Sequence, residues 1–493
     1  MKKLILYTPV ICFILVVSAL LASCNGATAP PTPLPQPSPT PIPSTVPKPT
    51  EVNVTNNWLF IPSILEDEDP SPTTSSFTLI AQESTKEFIQ GKNTKTYGYN
   101  GDYLGPTIRV KKGEHVNFKI LNNLTEETTV HWHGLLVEGE MDGGPHNVIL
   151  PRNEWNPNFA INQPAATLWY HAHPMHRTGG QVYRGLAGMF IIDDEDSEGL
   201  NLPNEYGVND IPLIIQDRRF AEDGTLIYKT NMNDIMQGML GDTILVNGTI
   251  APILEVATVK TRFRILNGSN ARTYELEISD GKSFKQIASD GGLLESPIEM
   301  KSLRLSPGER AEIIIDFSRY SVGDVVSLQS PGFNIIDFRV AKKENDTTII
   351  PEKLSLIPKI QESDSVKTRT FDLMGMGLMV NINGKQMDMT RIDEIVRHGD
   401  TEIWVIRNVM GMGSGMGGNV GHPFHYHGVQ FQVLSRDGSI PPLNERGWKD
   451  TILVNPNETV KVIARFDYKG LFMYHCHILE HEDSGMMGQF EVK

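Results

Sequence analysis

Three stretches far apart in the chain repeat one pattern of apolar and polar residues. Val116-Asn117-Phe118-Lys119-Ile120-Leu121-Asn122, Thr261-Arg262-Phe263-Arg264-Ile265-Leu266-Asn267 and Glu402-Ile403-Trp404-Val405-Ile406-Arg407-Asn408 read as one recurrent strand that ends in Asn. A second element recurs downstream of each, at Pro151 to Ile161, Pro307 to Phe317 and Pro456 to Phe466, with its alternation clearest in the last two. Repetition on this scale predicts three related β-units. The patterns are short and punctuated by Gly and Pro, and no long helical period appears outside the first 23 residues. They predict an all-β chain of three β-sandwiches with antiparallel sheets.

The histidines follow the repeat. His131-Trp132-His133-Gly134 and Tyr170-His171-Ala172-His173 stand in the first unit, His425-Tyr426-His427-Gly428 and Tyr474-His475-Cys476-His477 in the third. With the single sites His422 and His481 these account for ten of the 14 histidines; His115, His146, His176 and His398 have no partner pattern and read as surface or loop residues. The corresponding stretch of the middle unit, Val325-Val326-Ser327-Leu328-Gln329, carries none, so that unit reads as a spacer.

In a strand, Cys476 faces one way and His475 and His477 the other, so one strand end can feed two metal sites. A thiolate, His481 five residues on and Met486 five beyond that suit a trigonal copper with a weak axial sulfur; His422 is the candidate second imidazole. The eight histidines of the His-x-His pairs are too many for one metal. Three coppers, one with two ligands and two with three each, account for all eight. Redox-inert zinc would have no use for a cysteine-linked electron site beside it.

These motifs, with His-Pro-Phe-His-Tyr-His-Gly from His422 and His-Cys-His-Ile-Leu-Glu-His-Glu-Asp-Ser-Gly-Met-Met from His475, resemble those of the multicopper oxidases, especially bacterial laccases and surface copper oxidases. The resemblance covers nearly all of residues 70 to 493 and implies three cupredoxin-like Greek-key β-sandwich domains and four coppers. By that likeness His422, Cys476, His481 and Met486 bind the type 1 copper, and His131 and His425 the type 2 copper. His133, His171, His173, His427, His475 and His477 bind the type 3 pair. The implied reaction takes single electrons from a small reductant, either Cu(I) or a phenol or aromatic amine, and reduces O2 to water.

Asp142 and Glu482 match positions where acids of the family relay protons or tune the cluster; each also reads as a loop carboxylate or as an orienter of a histidine. Methionine is crowded near the expected type 1 copper. Met410, Met412 and Met416 alternate with glycine before His422, and Met374, Met376, Met379, Met387 and Met389 precede them. Soft thioethers suit Cu(I), while the glycines equally permit a mobile lid. A copper-sequestering surface protein, a copper nitrite reductase and a cell-division scaffold that has lost its ligands are rival readings. The complete ordered histidine set disfavours all three.

Length and charge add bounds. At 493 residues the chain holds two to four domains, and a formal charge of -15 offers nothing to nucleic acid. Residues 1 to 23 have the layout of an export signal, and Leu21-Ala22-Ser23-Cys24 resembles the bacterial lipobox, in which Cys24 becomes a lipidated N-terminus; an uncleaved signal anchor is the alternative. Residues 24 to 55 form a linker, and 27 to 50 contain ten of the 32 prolines, which predicts a semi-rigid spacer. At about 3.1 Å per residue it spans about 70 Å. Cupredoxin domains are then expected at 56–200, 201–350 and 351–493, on a protein tethered to the membrane at the outer cell surface. Of three cysteines, only Cys476 lies in the folded body, which favours a metal ligand over a disulfide.

Overall fold

Six β-sheets pair off into three sandwiches, strung along the chain from Thr74–Ile89 to Ala187–Asp193, from Asp210–Arg218 to Phe333–Lys342 and from Ser365–Met374 to Met487–Val492. This computed structural model describes residues 57–409 and 420–493. The signal segment, Cys24, the Pro-rich linker and Met410, Met412 and Met416 lie outside the described residues. All the described residues belong to one compact unit, and among them no helix is long and apolar enough to cross a membrane.

Both recurrent sequence elements acquire a structural reason. Asn122, Asn267 and Asn408 each end their strand with a buried side-chain amide that donates to two backbone carbonyls, Glu126 and Ile149, Arg272 and Leu305, and Val420 and Val454, at 2.7–3.1 Å. The residue after each recurrent proline then donates its backbone N–H to the same Asn carbonyl: Arg152 to Asn122, Gly308 to Asn267 and Asn457 to Asn408, at 2.7, 2.9 and 3.0 Å. A buried amide must find partners, so one residue type fixes the entry to the next strand three times over.

A third repeat is not apparent from the apolar pattern. Asn100, Asn247 and Asn383 each precede a glycine and adopt left-handed backbone, with φ of 54, 51 and 55°. Each accepts from one strand N–H (Ile80, Ile214, Asp372) and donates to a carbonyl two residues earlier. Asn tolerates this conformation because its short amide can bond locally.

The expectation of antiparallel sheets requires correction. Thr74–Ile89 runs parallel to His115–Asn122, Asp210–Arg218 to Lys260–Asn267 and Ser365–Met374 to Thr401–Val409. The second sheet of each sandwich also contains one parallel pair. Alternation along a strand reports which face is buried and is silent on the direction of its neighbour, which the connections set.

Each sandwich has its own core, drawn from both of its sheets. Phe77, Phe118, Trp132 and Phe190 fill the first, Phe263, Phe317 and Phe338 the second, and Phe371, Trp404, Tyr474 and Phe490 the third. A further buried cluster joins the first two, with Trp169 and Ile191 against Ile214 and Leu266. Asn57 and Leu59 pair with Ile253, so the first described residues attach to the middle sandwich.

Candidate metal centre

Cys476 ends the strand Gly470–Cys476, beside His422–Tyr426 in the same sheet. Its Sγ lies 3.4 Å from Nδ1 of His422 and 3.9 Å from Nδ1 of His481, which sits on the short helix Leu479–Asp483. The chain then closes on itself. Met486 donates its N–H to the carbonyl of His481 at 2.9 Å, and its own carbonyl accepts from Cys476 at 3.0 Å. Cys476, His422, His481 and Met486 are all buried, with Met486 in the same core cluster as the thiol.

The imidazoles on either side of Cys476 face the other way, into the junction of the first and third sandwiches. Nε2 of His475 lies 3.2 Å from Nε2 of His173 and 3.1 Å from Nε2 of His427. His131 stacks on His427 and His133 on His425, with ring centroids 3.7 Å apart in both pairs, each pair taking one ring from either sandwich. The ligand atoms of His131, His133 and His171, of His131, His425 and His427, and of His173, His427 and His475 fall within 4.8 Å of one another. His477 joins through its ring, 5.0 Å from His133 and 5.6 Å from His171.

Family profiles described as "Multicopper oxidase" match residues 81–197, 220–332 and 351–493. The chain is 44% identical to the multicopper oxidase Mco of Staphylococcus haemolyticus over 88% of its length and 92% of that protein's. The crystal structure of a laccase from Pediococcus acidilactici superposes with a TM-score of 0.84 at 41% identity, covering 90% of this chain and 95% of that one. The chain belongs to the multicopper oxidases. It is a copper-dependent oxidoreductase with the family's cupredoxin-like architecture. The chain is also 37% identical to the cell division protein FtsP of Xenorhabdus nematophila, over 88% of this chain and 91% of that one.

The donor set of this multicopper oxidase fits copper. Nε2 of His131, His171 and His425, Nδ1 of His133 and both ring nitrogens of His477 are buried with no hydrogen-bond partner. The opposite nitrogens of four rings are held by backbone oxygens: His131 by Asp142, His171 by Ala172, His425 by Asp450 and His475 by Cys476, at 2.8–3.1 Å. A proton on the held nitrogen leaves a bare lone pair on the other, the form a metal requires. Burial, reinforced by the crowding of other imidazoles, pushes protonation of His133, His171, His173, His422, His425, His427 and His477 far below the ordinary histidine range. Burial brings His481 down to about 4, against the opposing pull of the Met236 carbonyl. These rings stay neutral. Burial pushes the Cys476 thiol well up, so its thiolate needs a cation beside it.

Both expected acids lie at the cluster. Oδ2 of Asp142 is 2.8 Å from Nδ1 of His427. Glu482 brings Oε1 to 3.3 Å from Nδ1 of His173 and Oε2 to 3.2 Å from Nδ1 of His475, close approaches without hydrogen-bond alignment, for neither oxygen has a hydrogen-bond partner. His115, His146, His176 and His398 are all exposed.

Sequence reasoning missed Asp450, Arg310 and Met236. Asp450 lies with His133 and His425 in a trio of metal-binding shape, but its carboxylate is committed to Arg310 at 2.7 and 2.5 Å, so it holds ligands rather than acting as one. Nε2 of His481 lies 3.1 Å from the carbonyl of Met236. The middle unit, read as a spacer, therefore touches both metal sites while supplying no member of the histidine and cysteine groups. The one local signal was Lys449-Asp450 set against the apolar strand Thr451–Val454.

Proposed function

We propose that this enzyme oxidises a small reductant one electron at a time at a type 1 copper and reduces O2 to water at a trinuclear copper cluster, with four coppers per chain. One observation carries the reading: the Cys476 thiol faces His422 and His481, while its two sequence neighbours enter an eight-imidazole cluster. On this reading His422, Cys476, His481 and Met486 hold the type 1 copper, and His131 and His425 the type 2 copper. His133, His171, His173, His427, His475 and His477 hold the type 3 pair. Bound copper supplies reversible one-electron chemistry and O2 activation, which side chains alone lack.

The chain supplies the rest. Cys476 and its two peptide bonds make a covalent path between the sites, and the His475 ring donates from Nδ1 to the Cys476 carbonyl at 3.1 Å. Burial of every ligand keeps bulk water out. Four electrons and four protons convert one O2 into two waters, and Asp142 and Glu482 stand where protons are needed. Oxygen uptake by copper-loaded protein tests the reading. Copper bound without oxygen consumption would instead mean sequestration, or a part in cell division, as the Xenorhabdus relative is named for. The complete set of buried imidazoles favours the oxidase.

Cu(I) is the favoured reductant. The helix Met232–Met236, which holds His481, packs on the turn Gly377–Met379, and a Cβ on Gly377 would lie 2.5 Å from Sδ of Met236. Met232 and Met379 are 65% and 73% exposed, so thioethers face solvent beside the type 1 ligand. Changing Met410, Met412 and Met416 to Ser is expected to reduce Cu(I) oxidation far more than dimethoxyphenol oxidation. Equal losses would reject cuprous recruitment and leave a general laccase.

We further place the enzyme at the outer cell surface, anchored by a lipid on Cys24. Incorporation of labelled palmitate that disappears in Cys24→Ala tests the anchor.

A further inference from the structure

We propose that Arg310, from the sandwich without metal ligands, is a positioning residue for the trinuclear site: through Asp450 it fixes which nitrogen His133 presents to copper. The inference rests on the four-copper reading above.

Arg310 is fully buried, and all five of its N–H donors are used. Nε donates to the carbonyl of Thr167 at 3.1 Å, Nη1 to the carbonyl of Gly308 at 2.9 Å and Oδ1 of Asp450 at 2.7 Å, and Nη2 to the carbonyl of Asp290 at 3.0 Å and Oδ2 of Asp450 at 2.5 Å. Thr167 belongs to the first sandwich, Gly308 and Asp290 to the second and Asp450 to the third. One guanidinium thus locks all three together around a bidentate carboxylate.

That carboxylate reaches the cluster. Its Oδ1 lies 3.0 Å from Nε2 of His133, and the Asp450 carbonyl lies 2.8 Å from Nδ1 of His425. Carboxylates and carbonyls only accept, so the protons sit on His133 Nε2 and His425 Nδ1. Their opposite nitrogens, His133 Nδ1 and His425 Nε2, are left buried without hydrogen-bond partners. His131, His171, His425, His427 and His475 are all held by oxygen at Nδ1. His133 is held at Nε2 by Oδ1 of Asp450 and by the Thr451 hydroxyl, also 3.0 Å away and itself donating to that Oδ1 at 2.9 Å, so the Arg310 and Asp450 pair fixes both oxygens that make the difference.

Two glycines make room for this arrangement. A Cβ on Gly134, next to His133, would lie 2.5 Å from Oδ2 of Asp450 and 2.7 Å from Nη2 of Arg310. A Cβ on Gly308 would lie 3.0 Å from the ring of His477. The turn that leads into Arg310 therefore packs directly on a second imidazole of the cluster.

The test compares copper retention in the full-length holoenzyme with that of Arg310→Lys, Asp450→Asn and a control, Arg264→Lys. Arg264 is also buried between the first two sandwiches, on Asp210, Glu312 and Thr167, and its partners include no imidazole. Lys cannot make the two-point fork. Asn is isosteric with Asp, but both Asp450 oxygens accept from Arg310, so an amide there must aim an N–H at a donor, either the guanidinium or His133, and the hold on the ring is lost. Each protein is titrated with a copper chelator while total copper and the blue type 1 absorption are followed. Arg310→Lys and Asp450→Asn are expected to lose cluster copper at about 10- to 100-fold lower chelator concentration with the blue absorption intact. Arg264→Lys is expected to melt earlier but hold copper like the wild type. If both test variants retain copper like the wild type, or if Arg264→Lys loses it alongside them, the inference is overturned. Should Arg310→Lys fail to fold, copper retention in Asp450→Asn decides the question by itself. A wild-type protein that holds only its blue copper would overturn the four-copper reading instead.

Discussion

The carboxylate of Asp142 lies 2.8 Å from Nδ1 of His427, so an acid carried by the first sandwich holds an imidazole of the third. The Asp142 carbonyl lies 2.9 Å from Nδ1 of His131, the ring stacked on His427. One residue thus orients both members of a pair that spans the domain junction, and its remaining Oδ1 is buried without a hydrogen-bond partner. Asp142→Asn keeps the shape and an acceptor oxygen but cannot carry the proton. We expect it, and Glu482→Gln, to retain copper while turnover falls by about 10²- to 10⁴-fold. Oxygen uptake across pH checks this; an unchanged rate and profile for both variants would remove the relay.

Met486 is tied through its backbone to both Cys476 and His481. A thioether donates more to copper than an alkyl group does, so Met486→Leu is expected to raise the type 1 potential and leave the blue absorption in place. Redox titration of the blue band provides the check, and an unmoved potential would argue against an axial sulfur.

Cys476 is the one thiol among the described residues. Cys476→Ser is expected to abolish the blue absorption and bring oxygen uptake to background, with copper still bound by the imidazole cluster. Metal analysis beside the optical spectrum tests the separation of the two sites.

Glu312 is buried between Arg262 and Arg264 and accepts from Thr167 of the first sandwich at 2.7 Å. Burial alone pushes its carboxyl up, but the two guanidinium groups outweigh that and hold it at about 2, below the ordinary 4.5. A depressed carboxyl contributes stability above its unfolded value and loses it as the pH falls through its folded value, here from roughly 4.5 down to 2. Glu312→Gln is expected to cost about 3–5 kcal/mol near neutral pH, with the gap to the wild type closing in acid. Urea unfolding over that range measures it, and a gap independent of pH would contradict the ionic account.

The alternating strands, the threefold repeat and the ligand types were all legible along the chain, because period-two burial and His-x-His spacing are local properties. Local order also placed Cys476 and its flanking histidines on opposite faces, and the structure keeps them there. The direction of neighbouring strands was not legible, since a strand's own pattern does not encode its partner. Asp450 and Arg310 were missed for a related reason. Asp450 lies 317 residues from the His133 it holds, and an isolated Lys-Asp step does not announce burial.

The sequence by itself determined the candidate ligand residues, their grouping into two sets and the sulfur between them, since covalent order and strand geometry suffice for that. Only the tertiary structure decided which ring nitrogen His131, His133, His171 and His425 leave bare and that the middle sandwich reaches both metal sites. Those depend on hydrogen bonds between residues hundreds of positions apart, which exist only once the three sandwiches have closed on one another.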